Sequence, residues 1–315
     1  MRLIFMGTPD FAVETLCQTA RAGHEILGVV TQPDKPKGRG KSLQPTPVKE
    51  VALKLGLPVY QPESIKSPDF VNVLKQLKPD IIVVVAFGQL IRREILEIPP
   101  HGCVNVHASL LPKYRGAAPV QWAVIRGEQE SGVTIMRMDE GLDTGDMLVK
   151  EAIPLAADET GGSLFEKLSH LGAKLLVEAL QAIDAGTVVA KPQPEESPTP
   201  YAAMIQKSMG CIQWSKEAVE IERLLRGLNP WPSAFTHLNG KTLKIFKGSV
   251  CAPEDLEGAS EAIPGQILAA DAKGICVKCG RDCLRIEELQ LEGKKRMPSG
   301  EFLRGHSIQT GVLLE

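Results

Sequence analysis

Ile81-Ile82-Val83-Val84-Val85-Ala86 is apolar without interruption and holds three consecutive valines. A half-exposed strand would alternate polar and apolar residues. A short run apolar on both sides belongs inside a parallel sheet covered by helices. The flanking sequence fits that reading. Leu3 to Met6 is a short apolar run closed by Gly7, and Asp10 is placed to cap a helix running to about Ala22, which Gly23 ends. Ile26 to Thr31 reads as a second strand. Thr46-Pro47 opens a helix, with proline in its first turn. A brief strand at Val59 and a helix from Asp69 to Leu77, stopped by Pro79, lead into the central run. Beyond it, Val104-Asn105-Val106-His107, Val133 to Met138 and Met147 to Ile153 read as strands, and Thr160 to Ala185 as a long amphipathic helix. Strands alternating with helices define an α/β fold with a doubly wound parallel sheet.

The composition then changes. Lys191 to Pro200 holds four prolines in ten residues, which predicts an extended, semi-rigid linker. After a helix from Ser215 to Arg226 come short β-type segments. Asn239-Gly240 between two of them is a strong hairpin signal. With further strands at Gly265 to Leu268, Gly274 to Lys278 and Leu284 to Leu289, a small β-barrel is expected. A length of 315 residues suits two domains. We read residues 1–189 as the α/β domain, 190–207 as the linker and 208–315 as the C-terminal domain.

Composition excludes several classes of function. The net charge is −2, from 36 Lys+Arg against 38 Asp+Glu, so any nucleic-acid contact must come from a local patch. Aromatics at 4% argue against a broad base-stacking platform. No run approaches the ~20 apolar residues of a membrane helix. The apolar start at Leu3 to Met6 is too short for a signal peptide. Seven cysteines, an odd count, read as reduced thiols in a cytoplasmic protein.

Several motifs fail on inspection. Gly7-Thr8-Pro9-Asp10 sits where a dinucleotide fingerprint would lie but carries one glycine, so no nicotinamide cofactor is expected. Gly38-Arg39-Gly40-Lys41-Ser42 lacks the first glycine of a phosphate loop. What remains is a basic loop with Lys35, Lys37, Arg39 and Lys41 against Asp34. Pro33, Pro36, Gly38 and Gly40 make a stable helix or strand improbable there. By default such a loop is a solvated surface; functionally it could grip a phosphate backbone. Cys276, Cys279 and Cys283 lack a fourth ligand at finger spacing and read as packing or surface thiols, so no metal is expected.

The strongest site signal is Asn105 with His107. Two apart on a strand, they face one side, at the C-terminal edge where parallel sheets place ligands. Asp139-Glu140-Gly141-Leu142-Asp143-Thr144-Gly145-Asp146 is acidic but wrongly spaced for a calcium loop. Gly141 and Gly145 bracket Asp143 and would let that loop approach a ligand closely. A carboxylate there could orient His107.

These stretches carry a resemblance. Gly7-Thr8-Pro9-Asp10-Phe11, Thr31 to Gly40, Asn105-Val106-His107-Ala108-Ser109-Leu110-Leu111-Pro112, Tyr114-Arg115-Gly116-Ala117-Ala118-Pro119, Gly132 to Asp146 and Asn229-Pro230-Trp231-Pro232 are similar to those of the methionyl-tRNA formyltransferase family. The resemblance implies a Rossmann-like domain joined to an OB-like barrel. It implies 10-formyltetrahydrofolate as formyl donor and charged initiator methionyl-tRNA as acceptor. Asn105, His107 and Asp143 fall on the catalytic positions, and Ser109, Leu110, Leu111 and Pro112 on the folate-contacting segment. We expect Phe87, Gly88, Gln89 and Leu90 to close the folate pocket, Lys35, Lys37, Arg39 and Lys41 to bind tRNA, and the protein to be a cytoplasmic monomer. The asparagine, histidine and aspartate pattern identifies the chemistry but not the acceptor. Two alternatives therefore remain: the same transfer to another amine, or a non-catalytic RNA-binding relative.

Overall fold

The computed structural model describes residues 1–37, 42–256 and 258–315. In chain order its elements are β1 (Arg2–Gly7), α1 (Phe11–Arg21), β2 (Glu25–Val30), β3 (Lys35–Lys37), β4 (Ser42–Gln44), α2 (Pro47–Lys54), β5 (Val59–Tyr60), α3 (Pro68–Leu77), β6 (Ile81–Val85), α4 (Arg93–Leu96), β7 (Cys103–His107) and α5 (Pro119–Arg126). There follow β8 (Glu130–Arg137), β9 (Met147–Pro154), α6 (Gly161–Asp184), α7 (Ala218–Gly227), β10 (Ala234–Leu238), β11 (Lys241–Cys251), β12 (Ile267–Asp271), β13 (Gly274–Lys278), β14 (Cys283–Leu291), β15 (Met297–Pro298) and α8 (Ser299–Gly305). By internal contacts the chain forms two compact units. One is Met1–Pro119, Glu130–Pro154 and Phe165–Ala202; the other is Val120–Gln129, Leu155–Leu164 and Ala203–Glu315.

The first unit is built on a seven-stranded sheet in the order β5-β2-β1-β6-β7-β8-β9. The central strand β6 has all five residues buried. Its neighbours β1 and β7 run parallel to it. The outer pairs β7–β8 and β8–β9 are antiparallel, a direction that strand patterning does not encode. Side chains alternate between faces. Ile4, Met6, Ile82 and Val84 pack with Phe70 and Leu74 of α3 and Ile95 of α4. On α6, a Cβ at Gly172 would lie 2.7 Å from Val106 Cγ1, and Phe165 meets Phe11 of α1 edge-on at 5.2 Å. Helices thus cover both faces, which leaves the strand ends as the open edge.

Local signals explain the helix starts. Thr46 Oγ1 accepts a hydrogen bond from Lys49 N at 3.1 Å and caps α2, with Pro47 next in line. Ser67 caps α3 in the same way. Asp10 differs from expectation: it precedes α1 but is itself helical, and its side chain makes no capping bond.

The second unit carries an antiparallel sheet, β10-β11-β14-β13-β12, with β15 on β14. The β10–β11 turn is Asn239-Gly240, at φ 49° and 73°. Both central residues are left-handed, the geometry that a two-residue hairpin requires. The ends of the sheet are joined by the last residues of the chain. His237 and Glu315 exchange backbone hydrogen bonds of 2.8 and 3.1 Å. Ile267 N donates to Val312 O, and Leu314 N to Gly265 O. Inside lie Trp214, Leu225, Ile245, Val277, Leu284, Leu289 and Phe302. Cys276, Cys279 and Cys283 are buried in this unit, and burial pushes the Cys279 thiol up to about 12.

Candidate functional site

His107 ends β7 and is 5% exposed. Its Nε2 lies 3.1 Å from the carbonyl oxygen of Tyr114, and its Nδ1 3.6 Å from Asp143 Oδ1. The second separation is that of an ion pair rather than a hydrogen bond. Both groups facing the ring are hydrogen-bond acceptors. Asn105 shares the His107 face of β7 and is half-buried. Its side-chain amide has no hydrogen-bond partner among the described residues, so it is available to a ligand.

Asp143 is held in place by the backbone. Its φ is +56°, in the left-handed region that non-glycine residues seldom occupy. Gly116 N donates to its Oδ2 at 2.8 Å. The loop itself leaves no room for a side chain at either bracketing glycine. A Cβ on Gly145 would sit 1.8 Å from Arg137 O, and one on Gly141 1.9 Å from Thr144 Oγ1.

The Ser109 to Pro112 turn is fixed from β8. Thr134 Oγ1 donates to Ser109 O at 2.7 Å and accepts from Leu111 N at 3.1 Å. Ser109 and Leu111 are buried, whereas Leu110 and Pro112 are partly exposed. Among Phe87 to Leu90, the Phe87 ring belongs to the core of the first unit. Phe87 O accepts from Thr8 Oγ1 at 3.0 Å and Gln32 Nε2 at 3.3 Å. Gly88 has φ +85°, Gln89 Oε1 accepts from Ile65 N at 3.2 Å, and Leu90 is 50% exposed.

The basic segment corrects the expectation that it forms no strand. β3 and β4 pair antiparallel as Lys35 with Gln44, Pro36 with Leu43 and Lys37 with Ser42. Proline is tolerated in so short a ribbon because one edge of each strand needs no donor. Lys35 is exposed. Arg39 and Lys41 lie outside the described residues. Asp34 anchors the base, accepting from Lys49 Nζ at 2.6 Å and Gln61 Nε2 at 2.7 Å. These bonds hold its carboxyl below the usual carboxylate range.

Sequence reasoning missed the role of the proline-rich segment. It is extended, but it is no free tether. Lys191 pairs with Met147 through two 2.8 Å backbone bonds. Ser197 Oγ donates to Pro112 O, Thr199 Oγ1 accepts from Tyr114 N, and Ala202 N donates to Arg115 O. Gln193 reaches both Arg115 and the Asp143 loop. The Tyr114-Arg115-Gly116 stretch stood among the family-like residues, but no local pattern marks Gln193.

Comparison with known proteins accords with this geometry. A formyl transferase model matches residues 1–180, and a formyl transferase C-terminal domain model matches residues 204–307. The fold and site thus define a formyl transferase. A methionyl-tRNA formyltransferase of Agathobacter rectalis is 56% identical over 99% of this chain and 98% of its own length. One from Lachnospira eligens is 53% identical over 100% of this chain and 99% of its own. The chain belongs to the methionyl-tRNA formyltransferase family. Among solved structures, HypX from Aquifex aeolicus in complex with tetrahydrofolic acid superposes with a TM-score of 0.63 at 18% identity. That match covers 99% of this chain and 50% of HypX.

Proposed function

We propose that this protein transfers the formyl group of 10-formyltetrahydrofolate to the α-amino group of methionyl initiator tRNA, acting in the cytoplasm as a monomer. The observation that carries the reading is the cluster at the end of β7: buried His107 between two acceptors, and on the same strand face the amide of Asn105, which has no partner among the described residues. The attacking amine must be unprotonated. As it adds to the formyl carbon, negative charge develops on the formyl oxygen. Asn105 Nδ2 supplies a hydrogen-bond donor for that charge, and a protonated His107 stabilises it through its positive charge. Asp143 orients the imidazole and receives or relays a proton.

The donor would lie against Ser109, Leu110, Leu111 and Pro112, with Phe87, Gly88, Gln89 and Leu90 bounding its pocket. The half-buried Asn105 amide, without a partner among the described residues, supports this placement. Lys35 and Lys37, with Arg39 and Lys41, would contact acceptor phosphates. Residues 1–189 would supply the chemistry, 190–207 the connection and 208–315 further RNA contacts.

The test is incubation with 10-formyltetrahydrofolate and charged initiator tRNA. Formyl-methionine on that tRNA is the expected product. Efficient formylation of an amino sugar nucleotide with charged tRNA untouched would replace the acceptor. No transfer to any amine would favour a non-catalytic RNA-binding protein.

A further inference from the structure

We infer that Gln193 is a positioning residue of the transfer site, acting through Asp143; the inference rests on the catalytic reading of that aspartate. Gln193 Nε2 donates to Asp143 O at 2.9 Å and to Gly145 O at 2.7 Å. Its Oε1 accepts from Arg115 Nε at 3.1 Å and Nη2 at 3.0 Å. All four hydrogen-bonding positions of the amide are filled, and its orientation follows from its partners. The two carbonyls can only accept, and the guanidinium can only donate.

The amide holds the site together. Asp143 needs a left-handed backbone, at φ +56°, to aim its carboxylate at His107. Gln193 grips the carbonyl of that same residue and one two places further on. Arg115 is gripped from the other side and also donates to Glu195 O at 3.0 Å and Pro194 O at 2.7 Å. Its neighbours in sequence are the residues that meet the catalytic pair. Tyr114 presents its carbonyl to His107 Nε2, and Gly116 donates to Asp143 Oδ2. One amide thus joins the loop facing Nδ1 to the loop facing Nε2. Without its two N–H donors, Asp143 loses the contact that fixes its peptide, and the 3.6 Å approach to Nδ1 loses its register.

The experiment compares Gln193→Ala, Gln193→Glu and Asp143→Ala with wild type, each checked for folding by circular dichroism and thermal unfolding. Glutamate keeps an acceptor for Arg115 and removes both donors to the Asp143 loop. We expect kcat to fall by about tenfold to hundredfold in both Gln193 variants, as small misplacements at a reacting centre do. KM for the folate and for charged tRNA should stay near wild type. In the double variant Asp143→Ala/Gln193→Ala, kcat should drop no further than in Asp143→Ala alone, because one residue works through the other. Wild-type kcat in Gln193→Glu, or additive losses in the double variant, overturns the inference. If Asp143→Ala itself keeps wild-type activity, the catalytic reading fails instead, so the two failures are distinct.

Discussion

Asn105 and His107 could be read from the chain because a strand has a period of two, which puts two polar side chains on one face at an edge where ligands gather. The structure adds that the histidine faces acceptors at both nitrogens while the asparagine amide has no partner among the described residues. Asn105→Ala should therefore lower kcat by about a hundredfold, the usual effect of losing one oxyanion donor, with little change in folding. Asp143→Asn can still accept from Gly116 N but no longer presents a charge to Nδ1, so it should lose turnover while keeping its fold. Steady-state formylation kinetics beside circular dichroism test both. Near wild-type turnover in His107→Ala would remove the imidazole from the mechanism. Gln193 was not legible, because its partner Arg115 is 78 residues away and no periodicity links them.

Among the elements, the parallel strands and capped helices were readable because each start and stop has a local chemical cause. The β3–β4 ribbon was not. Composition argued against a strand, yet a short ladder with a proline on it is held at its base by Asp34. Lys49 and Gln61 lower the carboxyl pKa there, so the folded value lies below the unfolded one. The anchoring is then complete above the unfolded value of about 4 and is lost as pH falls through the lower folded value. Hydrogen-exchange protection of β3 and β4 should fall over that acid range in wild type. Asp34→Asn should show weak protection at neutral pH and little further pH dependence. If the variant matches wild type at every pH, Asp34 does not anchor the ribbon. Arg39→Ala should cut formylation of charged tRNA severely while leaving folate affinity unchanged, as loss of an RNA contact would. Equal loss of both would mean that the segment shapes the catalytic pocket.

At the scale of the molecule, the antiparallel strands of the second unit were visible from the Asn-Gly turn and the spacing of β segments. Their closure was not, because Gly311 to Glu315 carries no strand pattern and pairs with residues far back in the chain. Leu314 is 3% exposed, and Leu314→Ala should cost about 2–5 kcal/mol. All three tryptophans, at positions 122, 214 and 231, belong to the second unit, so their fluorescence reports on it selectively. The urea transition seen by fluorescence should move to lower concentration in this variant. An unchanged midpoint would show that the terminal residues do not stabilise the sheet.

The bonds from Ser197, Thr199 and Ala202 to the Pro112–Arg115 loop bear on how this enzyme can be cut and recombined. A chimera that grafts a foreign recognition module after residue 189 would keep Asn105, His107 and Asp143 intact. It would also discard the backbone that holds the loops around them. A junction after Ala202 carries those ties with the first half, so swaps made there should leave the loops around His107 and Asp143 in place.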